Sequence, residues 1–148
     1  MPSTHLSLNY HLVFATKNRE PIIHADWQGR FHDYLGGTVG GLGGVPMGIG
    51  GVEDHVHLLF GLRATHCLAD FVRELKKSSS RWVTESRTAK EFSWQEGYGA
   101  FTFAYVNRSS LQRYISTQRQ HYQTLSFRNE LMALLQENGV EYDPRYLD

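Results

Sequence analysis

Along this 148-residue chain, stretches with strand-like and helix-like spacing of apolar side chains alternate. "LSLNYHLVFATK" (residues 6–17) is a run of strand formers with an apolar centre, which predicts a central strand. In "HADWQGRFHDYLGG", Trp27, Phe31, Tyr34 and Leu35 recur at helical spacing, and Gly36-Gly37 is expected to stop that helix. Residues 36–51 then hold nine glycines in sixteen positions. They read as a flexible turn leading into a glycine-weakened strand around Val45 to Val52. "HVHLLFGL" (His55 to Leu62) is the next strand. In the long helix that follows, Leu68, Phe71, Val72, Leu75 and Trp82 share one stripe, and Arg73, Lys76, Lys77 and Arg81 fall mainly off it. "YGAFTFAYV" (residues 98–106) has strand chemistry. Ser109 and Gln112 have capping-box spacing, which predicts a helix lined by Leu111, Tyr114, Ile115, Gln118 and Tyr122. A last helix, "RNELMALLQENG", should end at Gly139.

The order β-α-β-β-α-β followed by two helices predicts an α+β fold of the ferredoxin-like, split βαβ kind. Its sheet would be four-stranded and antiparallel, with two helices on one face. One domain is expected over residues 1–148, with a core at about 6–107. A tyrosine-bearing helix would follow at about 109–123 and a last helix at about 127–138. Such a fold assigns no function.

Composition narrows the class. Hydrophobic residues make up 41% and aromatics 13%, which excludes a disordered chain. The single cysteine, Cys67, has no partner within the chain, so a reducing cytosol fits. "MPSTHLSLNYHLVF" has no basic segment before an apolar core, and no apolar run approaches the ~20 residues that span a bilayer. The expectation is a cytoplasmic protein without membrane contact. A net charge of zero argues against coating DNA by charge alone, but the charge is unevenly placed. Residues 73–90 carry a net +4 and residues 130–148 a net −4.

The candidate chemistry starts at "DHVHL". Side chains two apart on a strand share a face, so His55 and His57 sit side by side while Val56 points to the core. Neighbouring neutral imidazoles suit a divalent metal; two hydrogen-bonded histidines on an exposed sheet face are the alternative. His66 and Cys67 lack zinc-type spacing. Gln118 is the better third ligand: it lies four residues after Tyr114, which predicts one shared helix face, and its amide oxygen suits Mg²⁺ or Mn²⁺. The Tyr114 phenol could attack phosphorus and conserve the bond energy in an ester, with a metal polarising the phosphate. The competing reading of Tyr114 and Gln118 is an amphipathic helix packing its aromatic face.

Taken in order, these pieces resemble the single-tyrosine HUH (His, hydrophobic, His) transposases of the insertion-sequence 200/605 type, encoded by small bacterial insertion sequences. The resemblance runs through "YHLVFATKNREPI", "DHVHLLFGL", "LADFVRELKKSSSRWV", "FSWQEGYGAFTF", "YISTQRQHY" and "ELMALLQENGVEYDPRYL". It implies metal-dependent cleavage of single-stranded DNA beside hairpins by a nucleoid-associated homodimer whose active sites could be composite. His55, His57 and Gln118 would hold Mg²⁺ or Mn²⁺. Tyr114 would form a 5′-phosphotyrosine, leaving a free 3′-OH that allows rejoining. Arg73, Lys76, Lys77 and Arg81 would contact phosphates, and sheet aromatics could stack on unpaired bases. The chain departs from the family pattern in its glycine-rich residues 36–51, in Glu53 where proline is common, and in Tyr122 where a second histidine is frequent. Glu53 and Asp54 could support the metal site from outside or add ligands to it, with plain surface charge the competing reading for Glu53. Two other readings compete: an inactive module that grips DNA or RNA hairpins, and a small-molecule metalloenzyme.

Overall fold

The computed structural model describes residues 3–86, 91–118 and 126–147. Strands β1 (Leu8–Ala15), β2 (Val45–Val52), β3 (His55–Leu62) and β4 (Gly99–Thr102) form one antiparallel sheet in the order β2-β3-β1-β4. Helix α1 (Ala25–Gly41) links β1 to β2, and α2 (Leu68–Glu85) links β3 to β4. Helices α3 (Arg108–Ser116) and α4 (Phe127–Glu137) follow. This is the ferredoxin-like arrangement that the element order predicts.

The sheet is buried on both faces. Leu12, Phe14, Val56, Leu58 and Phe60 meet Trp27, Phe31, Leu35 and Val39 of α1 and Phe71, Val72, Leu75 and Val83 of α2. On the other face, Val13, Ala15 and Phe101 pack beneath Phe127, Leu131 and Leu135 of α4. Two covered faces explain why β1 and β3 read as near-continuous apolar runs instead of strict alternation.

The glycine-rich stretch behaves differently from expectation. Helix α1 does not stop at Gly36-Gly37 but runs on to Gly41, with Trp27, Phe31, Leu35 and Val39 buried at successive four-residue steps. Each mid-helix glycine costs ~1 kcal/mol relative to alanine. Burying a side chain such as Val39 returns ~1.5–3 kcal/mol, which offsets part of that cost. The stop comes at Gly43, whose φ of 88° supplies the left-handed residue that ends many helices. Nor is β2 loosened. It pairs with β3 from Val45–Gly61 to Val52–His55, with a register shift between Pro46 and Gly48.

The second half also departs locally. Strand β4 has four residues and gives way to a 3₁₀ turn at Tyr105–Asn107. The expected capping box does not form: α3 starts without a side-chain cap, and Gln112 Nε2 instead donates to the Met47 carbonyl of β2 at 2.6 Å. Helix α3 ends at Ser116 and a turn at Thr117 separates it from Gln118, yet the Tyr114 and Gln118 side chains reach the same side, since both donate to Glu130 Oε2. The Thr117 hydroxyl donates to the Arg113 and Tyr114 carbonyls there and competes with continued helix. Tyr122 and the rest of that predicted helix lie outside the described residues. Helix α4 starts cleanly, with Ser126 Oγ accepting from the Asn129 N–H at 3.2 Å.

Candidate active site

Strand β3 delivers His55 and His57 to the sheet face opposite α1 and α2, while Val56 enters the main core, as two-residue alternation requires. The imidazoles are not displayed on an open surface. His55 is 1% and His57 0% exposed.

A carboxylate faces them. Glu130 of α4 places Oε1 2.9 Å from His57 Nε2 and 3.4 Å from His55 Nε2. Its Oε2 accepts from the Tyr114 hydroxyl at 2.5 Å and from Gln118 Nε2 at 3.1 Å. Gln118 Oε1 lies 2.9 Å from His55 Nε2. The outer ring nitrogens are held too: His55 Nδ1 is 2.7 Å from Asp54 Oδ1, and His57 Nδ1 is 2.8 Å from His11 Nε2. The Tyr114 ring stands edge-on to His57, with centroids 5.9 Å apart. Tyr114, His55, His57 and Gln118, singled out from sequence, therefore meet at one point.

One arrangement of protons satisfies this network. His55 donates from Nδ1 to Asp54 and from Nε2 to Gln118, and is an imidazolium. His11 donates to His57 Nδ1, and His57 donates from Nε2 to Glu130. The electrostatics agree. Burial pulls His55 down, but hydrogen bonds to Asp54, Glu130 and Gln118 outweigh it and raise its pKa to about 9. Burial and the adjacent His55 charge push His57 below the usual histidine range despite its Glu130 partner. His11 falls to about 3, from burial and then electrostatic repulsion against protonating both it and the neighbouring His57. Burial alone would raise Glu130, yet hydrogen bonds from His55, His57 and Tyr114 hold it below the usual carboxylate range. Burial, then the bond to Glu130, push the Tyr114 phenol up.

The same residues suit a hard divalent ion. Ligand atoms of His55, His57 and Glu130 all lie within 4.8 Å of one another. Adjacent ligands of an octahedral ion with ~2.1 Å bonds sit about 3 Å apart, close to the 2.9 and 3.4 Å separations from Glu130 Oε1. Two imidazole nitrogens, a carboxylate and a nearby amide oxygen form a mixed N/O donor set of the Mg²⁺ or Mn²⁺ kind. Asp54 and His11 hold the outer nitrogens, as supporting groups do around metal-bound histidine.

Sequence reasoning did not pick out Glu130 or His11. A signal existed for Glu130: it lies three residues after Phe127 and four before Leu134, an acid set within an apolar helical stripe. His11 shares a face of β1 with Val13, which pairs with His57, but that register is fixed only by folding. The four basic residues of α2 do not join the site; their helix covers the opposite sheet face. Lys76 is further committed, donating to the Gln95 and Gly97 carbonyls at 2.9 and 2.5 Å, and Arg73 pairs with Asp70 at 3.1 Å. Of the sheet aromatics, Phe101 is covered by α4.

The family model for IS200-like transposases matches residues 4–118, a span that takes in His11, the histidine pair, Tyr114 and Gln118. The chain belongs to the IS200-like transposase family. A curated relative, the ISDra2 transposase TnpA of Deinococcus radiodurans, is 28% identical over 119 residues, covering 75% of this chain and 84% of the relative. A crystal structure of a candidate transposase from Deinococcus radiodurans superposes with a TM-score of 0.64 at 26% identity, covering 78% of this chain and 93% of that one. A REP-associated tyrosine transposase bound to a REP hairpin shares the fold. Its TM-score is 0.55 at 13% identity, covering 78% of this chain and 68% of that one. Within this IS200-like transposase, Glu130 lies outside the matched span, so α4 brings its carboxylate to a site otherwise built from the family domain. No helix among the described residues is long and apolar enough to cross a membrane.

Proposed function

We propose that the protein cleaves and rejoins single-stranded DNA beside hairpins, with Tyr114 as nucleophile and Mg²⁺ or Mn²⁺ as cofactor. The observation that carries this reading is the convergence of the Tyr114 hydroxyl, both Nε2 atoms and Gln118 on Glu130. His55, His57 and Glu130, with Gln118 beside them, would hold the cation. Bound there, it would polarise the scissile phosphate and offset charge in an in-line displacement.

The chain's own groups do the rest. Tyr114 oxygen attacks phosphorus, the bond from phosphorus to the 3′ oxygen breaks, and that oxygen leaves as a 3′-OH after gaining a proton. Glu130 Oε2 is placed to accept the phenol proton. The product is a 5′-phosphotyrosine, and reversal with another 3′-OH gives strand transfer without net hydrolysis. Arg73, Lys77 and Arg81 would contact hairpin phosphates from the α2 side. The reading includes a homodimer at work on DNA in the nucleoid, in which Tyr114 reaches the histidines of its own chain.

Incubation with hairpin-bearing single-stranded DNA and Mn²⁺ should give a covalent adduct on a denaturing gel, lost in Tyr114→Phe. Hairpin binding without adduct, across cations and cognate hairpins, would point to the inactive module instead.

A further inference from the structure

The tyrosine helix lies directly on the glycines of β2. A Cβ built on Gly50 would sit 2.1 Å from the Ile115 carbonyl oxygen and 2.7 Å from its carbonyl carbon. One built on Gly48 would sit 3.0 Å from Ile115 Cδ1. Ile115 is buried and adjoins Tyr114, and the bond from Gln112 to Met47 ties the same helix to the same strand. Gly50 also pairs with His57 across the ladder, so helix α3 occupies the space that a side chain beside that histidine would fill.

We propose that Gly50, supported by Gly48, is a positioning residue for the nucleophile: its missing side chain lets α3 settle on its own β2 and bring Tyr114 to the histidine pair. The glycine-rich strand is then the seat of the tyrosine helix. The catalytic part of this proposal rests on the reading of Tyr114 given above; the seating itself does not. The two glycines differ in kind. At Gly48 the neighbour is the end of a flexible side chain, which can move. At Gly50 it is main chain, so any larger residue must displace the helix.

Hydrogen exchange of the metal-free protein tests the seating without catalysis. Gly50→Ala should speed exchange in residues 108–116 by about ten-fold or more, with α1 and α2 unchanged. Gly48→Ala should act more weakly, and adding Ile115→Val, which removes the methyl it meets, should restore protection. Wild-type protection of α3 in Gly50→Ala would overturn the proposal. Should that variant not fold, failure of Ile115→Val to rescue Gly48→Ala would overturn it. Mn²⁺ affinity, measured calorimetrically, should stay within about three-fold of wild type, since His55, His57 and Glu130 lie off α3. Lost Mn²⁺ binding would show collapse of the sheet and equally overturn it. With wild type active, Gly50→Ala should lower adduct formation by about 100-fold, as displaced reacting groups do. Unchanged adduct formation would refute the positioning role. If wild type forms no adduct, the nucleophile reading fails and the seat is judged on exchange alone.

Discussion

The bond between Tyr114 and Glu130 can be measured without DNA or metal. Tyr114→Phe removes one donor from the carboxylate, which keeps Gln118 and His57. Glu130→Ala removes the acceptor of Tyr114, Gln118 and His57 together. Loss of one member of a buried ionic cluster costs ~3–5 kcal/mol, so that variant should be the less stable by a wide margin. The informative quantity is the coupling. A hydrogen bond to a charged group contributes ~1.5–3 kcal/mol net, and Tyr114 is only half-buried, so water competes for its hydroxyl. We expect a coupling of about 1.5–2 kcal/mol. Urea unfolding of wild type, both single variants and the double variant, in EDTA at neutral pH, supplies the four free energies if m is constant. Additivity to within ~0.5 kcal/mol would mean that the two groups are not in contact in solution, and the convergence on Glu130 would fall with it.

Three further outcomes follow from the structure. Metal-free stability should peak near neutral pH. Below an unfolded value of 6.5 it falls as His11, with a folded pKa of about 3, and the similarly lowered His57 must take up protons. Above 6.5 it falls as His55 loses the proton that it holds up to about 9. Asp54→Asn should flatten the alkaline limb, and stability still rising through pH 9 would contradict the assigned charge on His55. Gly37 and Gly40 of α1 are exposed with open space at their Cβ positions, so Gly37→Ala with Gly40→Ala should raise stability by about 1–2 kcal/mol; a decrease in thermal melting would show that α1 stops early. Lys76→Ala should lower stability by about 1–2 kcal/mol through the lost bonds to Gln95 and Gly97, whereas Lys77→Ala should change it by less than ~0.5 kcal/mol; equal effects in urea unfolding would refute the distinction.

Much of this fold was legible because its signals are local. Strands β2 and β3 begin and end where apolar patterning puts them, and the His-Val-His alternation predicts which imidazoles share a face. Tyr114 and Gln118 were visible as residue types that suit the chemistry. Their meeting on one carboxylate was not, because α4 brings Glu130 to them from a later part of the chain. Glu130 stayed hidden because its partners are 73 residues away for His57 and 16 for Tyr114. Local charge made it one more acid in an acidic tail. The glycines misled in the opposite direction. Local propensity says they break α1 and weaken β2, but Val39 burial carries the helix through them and Ile115 packs where a side chain would otherwise stand. The basic residues of α2 show a related limit: sequence reveals a charged helix, but not that it lies across the sheet from the histidines.

Peptide mapping by mass spectrometry, after reaction with hairpin-bearing single-stranded DNA and Mn²⁺, tests the central claim most directly. A nucleotide 5′-phosphate is expected on the peptide containing Tyr114, absent without divalent cation and absent in His57→Ala. A nucleotide on another residue, or no modified peptide while the wild-type protein releases 3′-OH ends from the same DNA, would contradict it.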